Sequence, residues 1–309
     1  MNIDVIIPIY KPGKELFVLL DRLQEQSVPI QNIILMNTEE KYFEQLIYGS
    51  RFSDKYKNVK VFHLSKREFD HGKTRHMAVQ RSQAEVFVMM TQDAIPADKY
   101  LLEHLTEGLS GETAVAYARQ LPAKDCELVE RYTRSFNYPE KSRVKSAEDL
   151  PQLGIKTYFC SNVCAAYRRE VYEELGGFVR HTIFNEDMIY AARAIQAGYK
   201  IAYRAEARVI HSHNYTHMQQ FKRNFDLGVS QADYPEIFEN VPSEAEGKRM
   251  VKQTTVYLKE QHKLGRLPYF YMQCACKYAG YFLGKRYKRL PRKWVLAFTS
   301  NKDYWTAKM

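Results

Sequence analysis

Four short stretches of the 309-residue chain carry side chains whose types and spacing can do chemistry. Residues 85–96, EVFVMMTQDAIP, run through an unbroken apolar stretch and then deliver Gln92 and Asp93 before Pro96 ends it. That pattern predicts a buried central strand with a carboxylate at its C-terminal end. Such a carboxylate either stands at the mouth of a ligand crevice or merely caps the next turn, and the stretch leaves both open. In residues 69–79, FDHGKTRHMAV, Gly72, Lys73 and Arg75 open a helix. Its unpaired first amides and positive charge would suit a diphosphate, or would simply be solvated. In residues 184–200, FNEDMIYAARAIQAGYK, Asn185 stands as the N-cap and puts Glu186 and Asp187 in the first turn, where the helix dipole favours an ionised carboxylate. An ionised carboxylate can serve as a general base, although an ordinary acidic helix start looks the same. In HSHNYTH, residues 211–217, His211 and His213 fall on one side of a strand. They would each offer a divalent metal one nitrogen, or else form a hydrogen-bonded structural pair. No closed zinc spacing is present, so an oxygen-rich site completed by imidazole and phosphate oxygens fits better.

The elements that must position these groups follow from periodicity. Strands over 3–9, 33–36, 59–64 and 86–90 alternate with helices over 15–26, 42–48 and 73–81. Alternation of this kind predicts parallel βαβ units, so residues 1–100 read as the nucleotide-binding half of a doubly wound sheet. Neither GxGxxG nor GxxxxGK[ST] occurs, which removes most of the weight from dinucleotide and P-loop readings. A strand over 114–117, a helix over 127–137, a strand-like return over 157–167 and a short helix over 168–175 frame a charged stretch, 138–156, expected to be a mobile excursion. Residues 244–289 are expected to be helical, and 269–287, YFYMQCACKYAGYFLGKRY, is aromatic with basic residues following. This suits a helical appendage packed on the main body, with its outer face on an anionic membrane surface.

The totals bound the partners. A net charge of +10 asks for an anionic partner, and 45% hydrophobic residues exclude a disordered chain. Five cysteines, with no pair of CxxC elements, read as free thiols in a reducing compartment. The N-terminus lacks a signal peptide and no apolar run approaches about 20 residues, so a cytoplasmic location is expected. Tyrosines and cations concentrate in the C-terminal helices and form no stacking platform, so no nucleic-acid partner is expected.

The ordered set VIIPIYK, FDHGKTRHMAV, TQDAIP, NED and HSH, spread over residues 3–226, resembles the family 2 glycosyltransferases and, more closely, their bacterial rhamnosyltransferase branch. The resemblance implies a GT-A fold, a doubly wound, mostly parallel α/β sheet flanked by helices with a helical C-terminal extension. The GT-A domain would cover 1–240, with its nucleotide-sugar half at 1–100 and its acceptor half at 101–240, and the extension would cover 241–309. It implies that Pro8, Tyr10, Asn37, Thr38 and Gln92 hold the nucleotide sugar and that Gly72, Lys73 and Arg75 contact its diphosphate. Asp93 would bind Mg²⁺ or Mn²⁺ together with His211 or His213. Asp187 would be the general base, with Glu186 and Asn162 on the acceptor side. Two departures are plain: MNTEE replaces the paired aspartates that grip base and ribose in many relatives, and QDA has a single carboxylate in the metal motif. The implied reaction is inverting transfer of rhamnose from dTDP-rhamnose, or of another sugar from a UDP or GDP donor. The acceptor would be a polyprenyl-diphosphate-linked glycan, a surface polysaccharide precursor, at the inner face of the plasma membrane.

Overall fold

The computed structural model describes residues 1–241 and 243–306. Its strands are β1 (Ile3–Tyr10), β2 (Asn32–Thr38), β3 (Val59–Leu64), β4 (Val86–Met90), β5 (Ile95–Pro96), β6 (Thr113–Leu121), β7 (Arg143–Lys145), β8 (Cys164–Arg168) and β9 (Lys200–Ile210). They form one sheet in the order β3-β2-β1-β4-β8-β6-β9-β5, with β7 also on β9. From β3 to β4 every pairing is parallel, as the alternation of strands and helices requires. Beyond β4 the directions mix: β8 runs antiparallel to β4 and β6, while β6 and β9 are parallel. The parallel character expected from sequence therefore belongs to the first half, and no local pattern in 157–167 announces the reversed entry of β8.

The continuous apolar run of β4 is explained by its central place. Phe87 and Met89 enter one core, Val86, Val88 and Met90 the other, so both faces of the strand are covered. Phe87 stacks on Tyr167 of β8 at 5.2 Å, and Phe178 and Tyr190 meet Tyr167 edge-on at 5.3 Å each. Truncating one such buried ring to alanine costs about 3–5 kcal/mol. The Tyr167 hydroxyl carries this layer to Asn162, ahead of β8.

Register then decides what meets at that edge. Leu121 at the end of β6 pairs with Ile210 at the end of β9. The two-residue β5 pairs back onto β9, with Ile95 opposite Ile210, which turns the segment after β4 against the residues that follow β9. At β8 the pairing of Met90 with Cys164, and the bond from the Thr91 amide to the Val163 carbonyl at 3.2 Å, bring the start of β8 to the same place.

The stretch 138–156, expected as a mobile excursion, is folded. It contributes β7, a turn over Ala147–Asp149 closed by a capping box between Ser146 and Asp149, and a buried Lys145. The Lys145 ammonium donates to the Lys156 carbonyl at 2.9 Å and to that of Phe159. A composition dense in charge and proline concealed a segment held by its own polar contacts.

The C-terminal helix Leu267–Gly284 packs backbone to backbone on the helix His217–Asp233. A Cβ at Gly280 would stand 2.1 Å from the Phe221 carbonyl oxygen, and one at Gly284 2.1 Å from that of Phe225. The end of the described chain returns to the main body, where Asp303 pairs with Lys66 at 2.7 Å and Tyr304 stacks on His181 at 4.7 Å. On the outer side Tyr271, Met272, Tyr278 and Phe282 stay exposed along one stripe of the helix.

Candidate active site

An open cleft of about 370 Å³ at the carboxyl edge of the sheet is lined by Asp93, His211, His213, Asn162, Glu186 and Asp187, together with His71, Arg75, Arg134, Tyr215 and Arg223. Three of the four chemically able stretches thus converge completely, and the fourth in part.

The short β5–β9 pairing sets Asp93 against both histidines. The His213 Nε2 lies 3.1 Å and the His211 Nε2 3.5 Å from the carboxylate, and the two Nε2 atoms are 3.1 Å apart. All three ligand atoms fall within 4.8 Å of one another. Behind them the His211 Nδ1 lies 2.9 Å from the Gln120 Oε1, an oxygen that also accepts from Arg134. An acceptor at Nδ1 holds a ring proton there, so losing the Nε2 proton that bonds Asp93 would free the Nε2 lone pair for a metal, the tautomer a ligand needs. Burial pushes the Asp93 carboxyl up, but bonds to His211 and His213 outweigh it and hold the group well below the usual carboxylate range. One ionised carboxylate and two imidazoles, whose Nε2 protons a cation would displace, suit a divalent metal.

Across the cleft stands the acidic helix start. Asn185 is no side-chain cap; it adopts the left-handed conformation, φ 64°, which asparagine tolerates better than most residues. The buried Asn185 Nδ2 has no partner among the described residues. Glu186 is buried, with Arg75 Nε at 3.2 Å and a bond from Asn162 Nδ2 at 3.1 Å. Burial raises its pKa, yet Arg75 and His71 prevail and keep it low. Asp187 accepts from the Asn162 amide at 2.9 Å and from the Met188 amide at 2.8 Å. Burial, then the charge of Glu186, push its pKa up to about 7 against those two bonds. Asn162 is itself fixed by the Tyr167 hydroxyl, which donates to its Oδ1 at 2.7 Å, so the aromatic core orients the acidic pair.

The helix His71–Val79 departs most from expectation. Asp70 caps it, accepting from the Gly72 and Lys73 amides at 2.9 and 3.0 Å, so these amides are not free for a diphosphate. Gly72 is required by packing, because a Cβ there would lie 1.8 Å from the Val179 carbonyl oxygen. Lys73 is exposed and does not line the cleft, whereas Arg75 lines it but is committed to Glu186. Positive charge in the cleft comes instead from residues that sequence reasoning passed over. Arg134 is paired with Glu130, and Arg223 stacks over Phe184 and Tyr215 at 5.2 and 4.8 Å. His71 stood in the FDHG stretch as a visible signal, and burial lowers its pKa to about 4. Tyr215 stood within HSHNYTH, but nothing local singled out Gln120 or Arg223.

The expected nucleotide residues sit farther along the same edge, outside the cleft lining. Tyr10 and Thr38 are register partners at the ends of β1 and β2, and Pro8 is half-buried within β1. Gln92 joins the two regions, accepting from the Tyr10 amide at 2.8 Å and donating to its carbonyl at 3.2 Å. Asn37 Nδ2 meets His63 at 2.9 Å, while the buried Asn37 Oδ1 and Thr38 Oγ1 have no hydrogen-bond partner among the described residues. Buried polar atoms left unsatisfied in this way are suited to a ligand.

Comparison with known proteins adds an independent line. Residues 4–176 match the family model described as Glycosyl transferase family 2. The O-antigen chain rhamnosyltransferase RfbN of Salmonella typhimurium is 41% identical over 308 residues, covering 99% of this chain and 96% of the relative. The O-antigen chain rhamnosyltransferase WbaN of Salmonella anatum is 41% identical over 269 residues, 84% of this chain and 85% of its own. Among solved structures, the mannosyltransferase PcManGT from Pyrobaculum calidifontis, in complex with GDP-Man and Mn²⁺, superposes with a TM-score of 0.58 at 15% identity, covering 99% of this chain and 85% of its own. S. aureus TarS 1-349 gives a TM-score of 0.51 at 13% identity, with 94% and 91% covered. These likenesses bear out the GT-A fold expected from the motif order, with the mixed sheet described above.

Proposed function

Because the chain belongs to Glycosyl transferase family 2, and is therefore a glycosyltransferase, we propose that it transfers rhamnose from dTDP-rhamnose, with inversion, to a hydroxyl of a growing O-antigen chain carried on a polyprenyl diphosphate. The observation that carries this reading is the cleft itself, where a cluster suited to a cation and a carboxylate with a pKa of about 7 share one set of walls. The choice of rhamnose rests on the two relatives.

Asp93, His211 and His213 would hold Mn²⁺ or Mg²⁺, which when bound stabilises negative charge on the departing diphosphate. Arg223, on the same wall, adds a fixed positive charge. Asp187 takes the proton of the acceptor hydroxyl while that oxygen bonds to the anomeric carbon and the bond to the diphosphate breaks on the opposite face. A β-linked rhamnosyl donor then yields an α-rhamnoside. Two backbone amides fix the orientation of Asp187. Glu186 is already paired with Arg75, so it serves to raise the basicity of its neighbour and does not compete for the proton. Pro8, Tyr10, Asn37, Thr38 and Gln92 would receive the nucleoside, with Asn37 and Thr38 in place of carboxylates.

The exposed stripe Tyr271, Met272, Tyr278 and Phe282, with Arg286 stacked 3.7 Å over Phe282 and Lys288 and Arg289 beyond it, would rest on the anionic inner face of the membrane. No helix among the described residues is long and apolar enough to cross a membrane. The test is to offer the protein dTDP-rhamnose, UDP-sugars and GDP-sugars with an O-antigen acceptor and to read the new anomeric linkage by NMR. An α-rhamnoside formed from dTDP-rhamnose is expected; a β-linked product, or turnover only with another donor, would overturn the reading.

A further inference from the structure

Beyond Phe159 from the cleft lies a second cavity, of about 530 Å³, in the acceptor half. Its walls include Tyr117, Phe136, Phe159 and Tyr203, and its charged lining residues are all cations: Lys141, Arg143, Lys145, Lys156 and Arg249. Carboxylates approach only from outside the lining: Glu206 accepts from the Ser142 hydroxyl at 2.6 Å, Glu140 pairs with Arg119 at 3.0 Å, and two more meet the lining cations. Asp149 pairs with Arg143 at 2.6 Å, and Glu246 pairs with Lys156 at 2.6 Å and with Arg249 at 2.8 Å. Lys145 is committed to backbone carbonyls, and Lys141 has no ion-pair partner among the described residues. No carboxylate among the described residues lines the cavity itself, so the charge it presents inward is positive. Lys156 and Arg249 also lie over the Phe136 ring at 4.1 and 5.1 Å, which fixes cations beside an aromatic face. Aromatic faces take the apolar face of a sugar ring, and fixed cations take a phosphate.

The cavity is tied to the site. Phe159 lines both spaces, and the segment 159–162 leads from the carbonyl held by Lys145 to the Asn162 amide that holds Asp187. That segment spans at most about 10 Å. We propose that this cavity is an acceptor subsite for a glycosyl phosphate, holding the phosphorylated end of the acceptor while its far hydroxyl reaches Asp187. The proposal rests on the acceptor-side reading of the cleft given above. A lipid-linked sugar diphosphate and a free sugar phosphate share this chemistry.

Two measurements decide it. First, glucose 1-phosphate is titrated calorimetrically into the full chain with the cleft filled by dTDP and Mg²⁺, beside inorganic phosphate and glucose. Saturable binding of glucose 1-phosphate alone, lost in the K141Q/R249Q double variant, is expected. No binding, or equal binding of inorganic phosphate, overturns the subsite whether or not any donor supports transfer, so this arm stands apart from the catalytic reading. Second, the same acceptor glycan is supplied as an alkyl diphosphate and as a methyl glycoside. In the double variant KM for the diphosphate form should rise about tenfold, with KM for the methyl glycoside, KM for the donor and kcat unchanged. An equal change for both acceptors, or none, overturns the acceptor assignment, and glucose 1-phosphate binding without any change in KM would assign the cavity to a free sugar phosphate.

Discussion

Transfer by this protein should rise about tenfold between pH 6 and pH 8 and level off above. The magnitude follows from Asp187, whose pKa burial and then Glu186 raise to about 7. A group with that value is ionised to roughly one part in eleven at pH 6 and ten parts in eleven at pH 8, and only the ionised form accepts the hydroxyl proton. The quantity to follow is kcat/KM for the acceptor, because it reports the free protein in which this value holds. Asp187→Asn keeps the shape, removes the base and should lower kcat by about 10²–10⁴. Stability supplies a second readout with a definite sign. The folded pKa lies above the unfolded 3.8, so the favourable contribution is complete below about pH 4 and is lost as pH rises through about 7. The variant lacks that loss, although its single amide oxygen leaves the Asn162 or Met188 amide unpaired, a penalty of about 1–3 kcal/mol. The difference in Tm between variant and wild type should therefore move in the variant's favour from pH 5 to pH 8. A flat profile from pH 6 to pH 8, or an Asp187→Asn protein within tenfold of wild type, would refute the reasoning.

Chelation by EDTA should abolish transfer and Mn²⁺ restore it, and Gln120→Met, by releasing the His211 Nδ1 proton, should raise the Mn²⁺ needed for half-activity about 10–100-fold; full activity in EDTA would remove the Asp93 cluster from this role. Arg75→Met leaves Glu186 buried without its ion pair, so thermal denaturation should show a loss of about 3–5 kcal/mol, and the pH profile should move up because Arg75 also lowers the pKa of Asp187. An unchanged Tm would refute the pairing. Replacing Tyr278 and Phe282 together by Asp should release the protein from anionic vesicles in a sedimentation assay without altering turnover of a water-soluble acceptor, and retained binding would refute the membrane face.

By itself the sequence determined the kinds of element and the order of the chemistry. The apolar run before Asp93 predicts a central strand because a strand covered on both faces has no polar side to show, and β4 feeds two cores as expected. Acidic residues after Asn185, histidines after a strand and glycine in FDHG were all legible as local signals. Their partners were not, because each partnership is non-local. The join of Asp93 with both histidines depends on β5 pairing back to β9. Arg75, expected to face a diphosphate, is spent on Glu186 in the later helix, and the Gly72 and Lys73 amides go to Asp70. Most of all, the tertiary structure set the two acidic neighbours apart in pKa. Glu186 and Asp187 are neighbours of similar chemistry in one buried helical turn, and the placement of Arg75 beside Glu186 keeps that carboxyl low while burial and the charge of Glu186 push Asp187 up to about 7. A sequence specifies which charges exist, but the electrostatic free energy of each depends on distance and burial, which folding alone sets.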